Sequence, residues 1–213
     1  MKIELLQPVK HLERTVQAFT CLDRKNRNAT YLEIGAHRGR SIGTIGHVLK
    51  DFCQNLHIIG YDIFGSENTE FHIKEDNGKG GGNIVKCRRN LDKLKSRNPH
   101  VTYELIEGYT TNTLQYRKAD WTYIDGGHSY ETVKWDHSQL KDSDVIIFDD
   151  SDLEGVNRYL WEIKDQYEIF DLHHSPGGSR QSIIINDREN FDLDSAGLSP
   201  FGGVDPLQWK AIR

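Results

Sequence analysis

The stretch Trp121–His137 reads WTYIDGGHSYETVKWDH, and Asp144–Asp150 reads DVIIFDD a few residues further on. Trp121, Tyr123 and Ile124 make a short apolar run of the kind that forms a buried parallel strand. Asp125 closes that run, Gly126-Gly127 turn the chain, and a helical pattern starts near Ser129. The next apolar run, Val145–Phe148, ends on Asp149-Asp150. In an open α/β sheet, ligands sit at the carboxyl ends of the strands. The spacing therefore brings three carboxylates, and His128 a turn after Asp125, to one rim. That set suits a hard, oxygen-ligated cation with a base beside it.

The elements around this stretch alternate between strand and helix. Leu12, Val16, Phe19 and Leu22 recur at helical spacing after Pro8, and Asp23–Asn28 reads as a polar connector. Thr30–Gly35 (TYLEIG) is the first strong strand, followed by a tight glycine loop to Gly39. Ser41 is set to cap the helix that runs through Ile42, Ile45, Val48 and Leu49. Leu56–Ile63 is the second strand, with Asp62 at its end. Phe64–Asn83 is polar, glycine-rich and longer than an ordinary connection, so it reads as a functional lid or as partly disordered. A helix over Ile84–Ser96 and a strand over Val101–Ile106 follow. A helix near Glu154–Lys164 precedes strands at Tyr167–Leu172 and Gln181–Ile185, which are close enough to pair as an antiparallel hairpin. The tail Asp192–Arg213, with Pro200, Gly202-Gly203 and Pro206, reads as an extended arm, which points to a homodimer. Strands alternating with helices predict a mostly parallel sheet covered on both faces.

At 213 residues the chain has the length of one domain with a sizeable core. A formal net charge of −5, with no basic run broken by aromatics, argues against a nucleic-acid partner. Cys21, Cys53 and Cys87 are odd in number and far apart, which fits free thiols in a reducing compartment. No apolar run approaches the ~20 residues needed to cross a bilayer, and the start MKIELLQPVK lacks a secretory apolar core. The expectation is a cytoplasmic globular protein without a membrane partner.

The loop after the first strand, Glu33-Ile-Gly35-Ala36-His37-Arg38-Gly39, is not the G-x-G-x-x-G of a dinucleotide fold, because His37 holds the middle glycine's place. Glu33 would repel a pyrophosphate but accept a hydrogen bond from an ammonium. Asp62, at the neighbouring strand end, is placed to take a ribose diol. A cofactor with a ribose and a positive charge but no phosphate, S-adenosylmethionine, fits both acids. The alternative is a strand–turn–helix whose glycine serves packing alone.

These residues carry a family resemblance. EIGAHRGRS (33–41) resembles the first motif of class I S-adenosylmethionine-dependent methyltransferases, in the form seen in catechol O-methyltransferase and its relatives. IIGYDIFGS (58–66) and IEGYTTNTL (106–114) resemble stretches of macrocin O-methyltransferase-like enzymes. IDGGHSYETVKWD (124–136) is similar to the signature of a broad bacterial methyltransferase family, to which the name cephalosporin hydroxylase-like is also attached. The resemblance covers roughly Tyr31 to Asp150. It implies an α/β, Rossmann-like class I methyltransferase fold: a mostly parallel seven-stranded sheet, helices on both faces and an antiparallel last strand. It divides the chain into an N-terminal helical segment (1–28), the cofactor-binding domain (29–187) and a C-terminal arm (188–213).

The resemblance places Glu33, Gly35, Ala36, Gly39 and Ser41 at the methionine end of the cofactor, Asp62 with Ile63 at the ribose, and Tyr109-Thr110 near the adenine. Asp125 borders the cofactor and, with Asp149 and Asp150, falls on the metal ligands of the divalent-metal-dependent members. His128 falls on the catalytic base. The chain departs from the family where Asp-Asp replaces Asp-Asn or Glu-Asp, and where Lys141-Asp142-Ser143-Asp144 replaces Pro-Gly-Gly.

The expected chemistry is methylation of a hydroxyl on a small molecule with two neighbouring oxygens, a sugar diol or a catechol, held by Mg²⁺ and relieved of its proton by His128. Two alternatives are a metal-independent methyltransferase of the same fold and a non-catalytic nucleotide or sugar binder. Nothing resembles the two-His-one-carboxylate iron triad, which argues against oxidation. His173-His174 read as structural or substrate-facing. Trp135 and His137 read as packing and surface, and Arg38 and Arg40 as solvated arginines.

Overall fold

The structure is a computed structural model, and it describes residues 10–65, 82–172 and 179–206. Helix α1 (Lys10–Thr20) leads into β1 (Arg24–Ile34), α2 (Arg40–Leu49) and β2 (Cys53–Asp62). Next come α3 (Ile84–Arg97), β3 (Val101–Glu107), the short α4 (Thr110–Thr113) and β4 (Trp121–Ile124). The chain continues through α5 (Tyr130–Leu140), β5 (Val145–Phe148), α6 (Glu154–Ile163), β6 (Ile169–Leu172), β7 (Gln181–Ile185) and β8 (Leu198–Pro200).

The eight strands form one sheet in the order β3-β2-β1-β4-β5-β7-β6-β8. Strands β1 to β5 pair in parallel, whereas β7 runs antiparallel to both β5 and β6. From β1 the chain steps outward to β2 and β3; from β4 it steps the other way to β5. The boundary between β1 and β4 is thus the switch point where a crevice opens above the strand ends. Successive strand residues face opposite sides, so the apolar runs build two layers. Tyr31, Ile58, Trp121, Tyr123 and Ile147 pack with Phe19, Ile45 and Leu91 of α1, α2 and α3. Leu32, Ile59, Ile124, Ile146 and Phe148 pack with Val133 and Leu160 of α5 and α6.

Three expectations need correction. The sheet has eight strands rather than seven, because Leu198–Pro200 of the arm pairs antiparallel with β6. The arm also returns to α1: Leu22 bridges Phe191, and Gln17 Nε2 donates to the Ser195 carbonyl at 2.9 Å. The polar connector Asp23–Asn28 is largely strand, since β1 begins at Arg24. Its side chain is only 2 % exposed, although the four residues after it are solvated. Finally, Ser41 does not cap α2. Gly39 occupies the cap in a left-handed conformation, and the Ser41 hydroxyl turns inward to Glu33. Ser129, by contrast, does cap α5, accepting from the Thr132 amide. His173, His174 and residues 66–81 of the long loop lie outside the described residues.

Arg24 explains the departure at β1. At the amino ends of the strands its guanidinium lies 2.6 Å from Asp120, 2.5 Å from Asp144 and 2.8 Å from Asp187. One buried cation thereby joins the starts of β1, β4 and β5 to the end of β7. Removing it would leave three acids facing one another, and stripping one partner from a buried pair costs about 3–5 kcal/mol. Arg24→Ala should therefore lower unfolding free energy by about that amount in urea denaturation. A loss under about 1 kcal/mol, the range of a surface pair, would contradict this account.

Candidate functional site

The crevice above β1 and β4 is shaped by a close backbone crossing. Gly35 has φ +89°, and a Cβ on it would lie 1.9 Å from the Asp125 carbonyl oxygen. No side chain fits there, and the positive φ disfavours one in any case. The Gly35 and Ala36 amides both donate to the Tyr61 carbonyl, at 2.8 and 3.1 Å, tying the loop to β2. Gly39 (φ +78°) lies against α3, where a Cβ would come within 2.8 Å of the Cys87 Cα.

Glu33 lies beneath this loop, fully buried. It accepts hydrogen bonds from the Tyr31 and Ser41 hydroxyls. Burial pushes its carboxyl up to about 8, against the pull of those donors and of the Ile42 amide. Glu33 therefore fastens β1 to the start of α2 through the Ser41 hydroxyl.

Asp62 organises the opposite wall. Its Oδ2 accepts the His37 amide at 2.8 Å and its Oδ1 the Phe64 amide at 2.6 Å, so one carboxylate fixes both loops. The Asn83 amide donates to the His37 carbonyl at 2.9 Å, which brings the start of α3 to the same corner. Asp62 itself is half-buried at this corner. Ile63 follows it, also half-buried.

Tyr109 and Thr110 form the entry to α4 beyond β3. Trp135 Nε1 donates to the Thr110 carbonyl at 3.2 Å, and fully buried Asp136 faces Thr110 and lies under Gly126. Burial raises the Asp136 carboxyl to about 7. His137, expected near the surface, is instead buried, with Nδ1 2.6 Å from the Tyr159 hydroxyl. Burial lowers its pKa to about 4.

At the ends of β4 and β5, one ligand atom each from Asp125, His128 and Asp150 lies within 4.8 Å of the others. His128 Nε2 is 3.3 Å from Asp150 Oδ2, at ion-pair distance but outside hydrogen-bond geometry. Asp150 has φ +48°, an uncommon backbone for a non-glycine residue that turns its carboxylate toward this group. Burial, then the neighbouring Asp149 charge, raises the Asp125 and Asp150 carboxyls; for Asp125 the shift is large. Asp149 sits behind: its Oδ1 accepts from Gln181 Nε2 at 2.9 Å and Ser179 Oγ at 3.3 Å. Gln181 in turn accepts from Thr15 of α1 at 2.9 Å.

The fold thus assembles Gly35, Ala36, Gly39, Asp62, Asp125, His128 and Asp150 around one crevice, with Asp149 behind the rim, Glu33 beneath and Tyr109-Thr110 at its side. The two carboxylates and imidazole, with a buried ring nitrogen that lacks a hydrogen-bond partner, fit a divalent cation. The crevice, shaped by a glycine no side chain could replace and walled by an acid at a strand end, fits a ribose-bearing ligand. Sequence reasoning missed Gln181, a lone polar residue in an apolar strand. It also gave no place to Asp136, which the structure buries under Gly126 and against Thr110.

Residues 32–151 match the family described as "Methyltransferase domain". No curated protein sequence matches the chain. Similar solved structures include MNMC2 from Aquifex aeolicus, at 11% identity, covering 81% of this chain and 56% of that one with a TM-score of 0.50. Precorrin-6y C5,15-methyltransferase from Geobacter metallireducens GS-15 is 17% identical, covering 86% and 90%, with a TM-score of 0.47. TrmK of M. capricolum, solved with S-adenosylhomocysteine, is 12% identical, covering 91% and 71%, with a TM-score of 0.45. At these identities the likeness concerns the fold alone.

Glu33 gives a pH prediction. A carboxyl whose folded pKa is raised contributes stability below its unfolded value and loses it as pH climbs toward the folded value. For Glu33 that window runs from 4.5 to about 8. The Glu33→Gln variant, neutral throughout, should gain stability relative to the parent chain as pH rises through that window, in paired urea titrations. A difference that stays constant with pH would show that Glu33 is ionised in the fold at all these values.

Proposed function

The chain belongs to the methyltransferase-domain family, and from that premise we propose that it is an S-adenosylmethionine-dependent O-methyltransferase assisted by a divalent cation. Its acceptor is a small molecule carrying a hydroxyl beside a second oxygen, as in a sugar diol or a catechol. The observation that carries this reading is the convergence of Asp125, His128 and Asp150 on the rim of the crevice.

S-adenosylmethionine supplies a methyl group already activated on a sulfonium, which leaves the protein to orient the acceptor and manage its proton. Asp62, at the end of β2, is the acid to face the ribose hydroxyls, and its contacts with the His37 and Phe64 amides hold the two loops that flank them. Gly35 and Ala36 contribute shape rather than donors, because their amides are taken by Tyr61. Tyr109 and Thr110 border the adenine end, and Ser41, backed by Glu33, lies toward the methionine end.

A divalent cation at the rim would hold two neighbouring acceptor oxygens and make the hydroxyl easier to deprotonate. Asp125 and Asp150 are the residues to hold it, with Asp149 kept in place behind them by Gln181. The fit is electrostatic: these acids are half-buried beside one another, and a positive charge relieves what otherwise raises their pKa values. His128 has one lone pair to give. It serves the acceptor's proton, as a base, or the cation, as a ligand, and not both at once.

The test is methyl transfer from isotopically labelled S-adenosylmethionine to a panel of vicinal diols, catechols, isolated alcohols and amines. Label should appear on an oxygen that has a neighbouring oxygen. Chelator should cut turnover at least about tenfold, with recovery on adding divalent metal. Turnover indifferent to chelator, or label on nitrogen, would favour the metal-independent reading.

A further inference from the structure

We propose that His128 is a ligand of the rim cation rather than the acceptor's base. The coordinating set is then Asp125, His128 and Asp150, with Asp149 as their support. This rests on the metal-assisted reading above and adds which atoms hold the ion and which ions they favour.

Gln181 distinguishes the two aspartates of the Asp149-Asp150 pair, although Asp149 also neighbours Asp125 and Ser179 faces both acids. Asp149 Oδ1 accepts from Gln181 and Ser179, and Gln181 is anchored to α1 through Thr15. Asp150, turned by its left-handed backbone, instead faces His128 and Asp125. Oxygen and nitrogen ligands about 2.1 Å from an ion lie roughly 3–4.2 Å from one another. The 4.8 Å envelope of the three groups needs only a small contraction to reach that spacing.

His128 Nε2 is the deciding atom. This atom is shielded from solvent although the side chain is 37 % exposed, has no hydrogen-bond partner, and lies 3.3 Å from Asp150 Oδ2. A base needs its lone pair directed at the substrate hydroxyl; this nitrogen is directed at the carboxylates. Once it faces an ion between Asp125 and Asp150, its lone pair is committed. The acceptor's proton then passes to solvent.

One imidazole and two carboxylates also change the choice of ion. Mg²⁺ prefers an all-oxygen environment and keeps several waters. Imidazole nitrogen shifts preference toward Mn²⁺, Fe²⁺, Co²⁺ or Zn²⁺.

The experiment uses the full chain with Mn²⁺ alone as the probe. Binding is followed by calorimetry, and nitrogen coupling to the bound ion by pulsed electron paramagnetic resonance. The parent chain should show coupling from a directly bound imidazole and bind Mn²⁺ at least about tenfold more tightly than Mg²⁺. His128→Gln should lose the coupling and bind Mn²⁺ at least about tenfold more weakly, with an unchanged circular dichroism spectrum. Mn²⁺ bound without nitrogen coupling, at an affinity His128→Gln leaves unchanged, would overturn the assignment while keeping the cation. No Mn²⁺ binding by the parent chain would overturn the metal-assisted reading itself. The coupling in the parent chain needs no substitution, so a variant that failed to fold would not decide the matter.

Discussion

The crossing of Gly35 over the Asp125 carbonyl is the contact on which the rest of the crevice depends. It brings the loop after β1 against the end of β4 at a distance no side chain allows. From it follow the two amides on the Tyr61 carbonyl, the left-handed Gly39 against α3, and the corner that Asp62 closes. The parallel order of the strands supplies the switch point. The glycine makes it a usable crevice by letting two backbones share its floor.

Charge is distributed unequally between the two ends of this sheet. At the amino ends, Arg24 is buried among three aspartates, so burial and pairing balance. At the carboxyl ends, Asp125, Asp149 and Asp150 crowd together with no arginine or lysine ion-paired to them among the described residues. Among the described residues one acidic cluster is paired with an arginine and the other faces only His128, which is where a ligand would bring positive charge. Fully buried Glu33 and Asp136 add to the contrast: near the crevice, burial rather than pairing sets the carboxyl pKa values.

The parts of this structure legible in the sequence are those written in local pattern. TYLEIG, LHIIGYDI and WTYI are apolar runs that had to be buried strands, and the acids that end them had to lie at strand ends. What could not be read depended on distant partners. Arg24–Asn28 looks like a connector until Asp120, Asp144 and Asp187 are placed around Arg24. Ser41 looks like a cap until Glu33 is buried beneath it. The three residues of β8, ending in proline, have no strand pattern of their own and take their conformation from the edge of β6. The different surroundings of Asp149 and Asp150 depend on Gln181, over thirty residues later, and on one backbone angle.

The most direct measurement is calorimetric titration of S-adenosylmethionine into the full chain and into Asp62→Ala. The account predicts saturable binding at one site per chain. Asp62→Ala should weaken it at least about tenfold, or about 1.4 kcal/mol, by removing both the ribose acceptor and the anchor of its two flanking loops. Equal binding by both proteins, or no binding by the parent chain, would contradict the placement of the cofactor in this crevice.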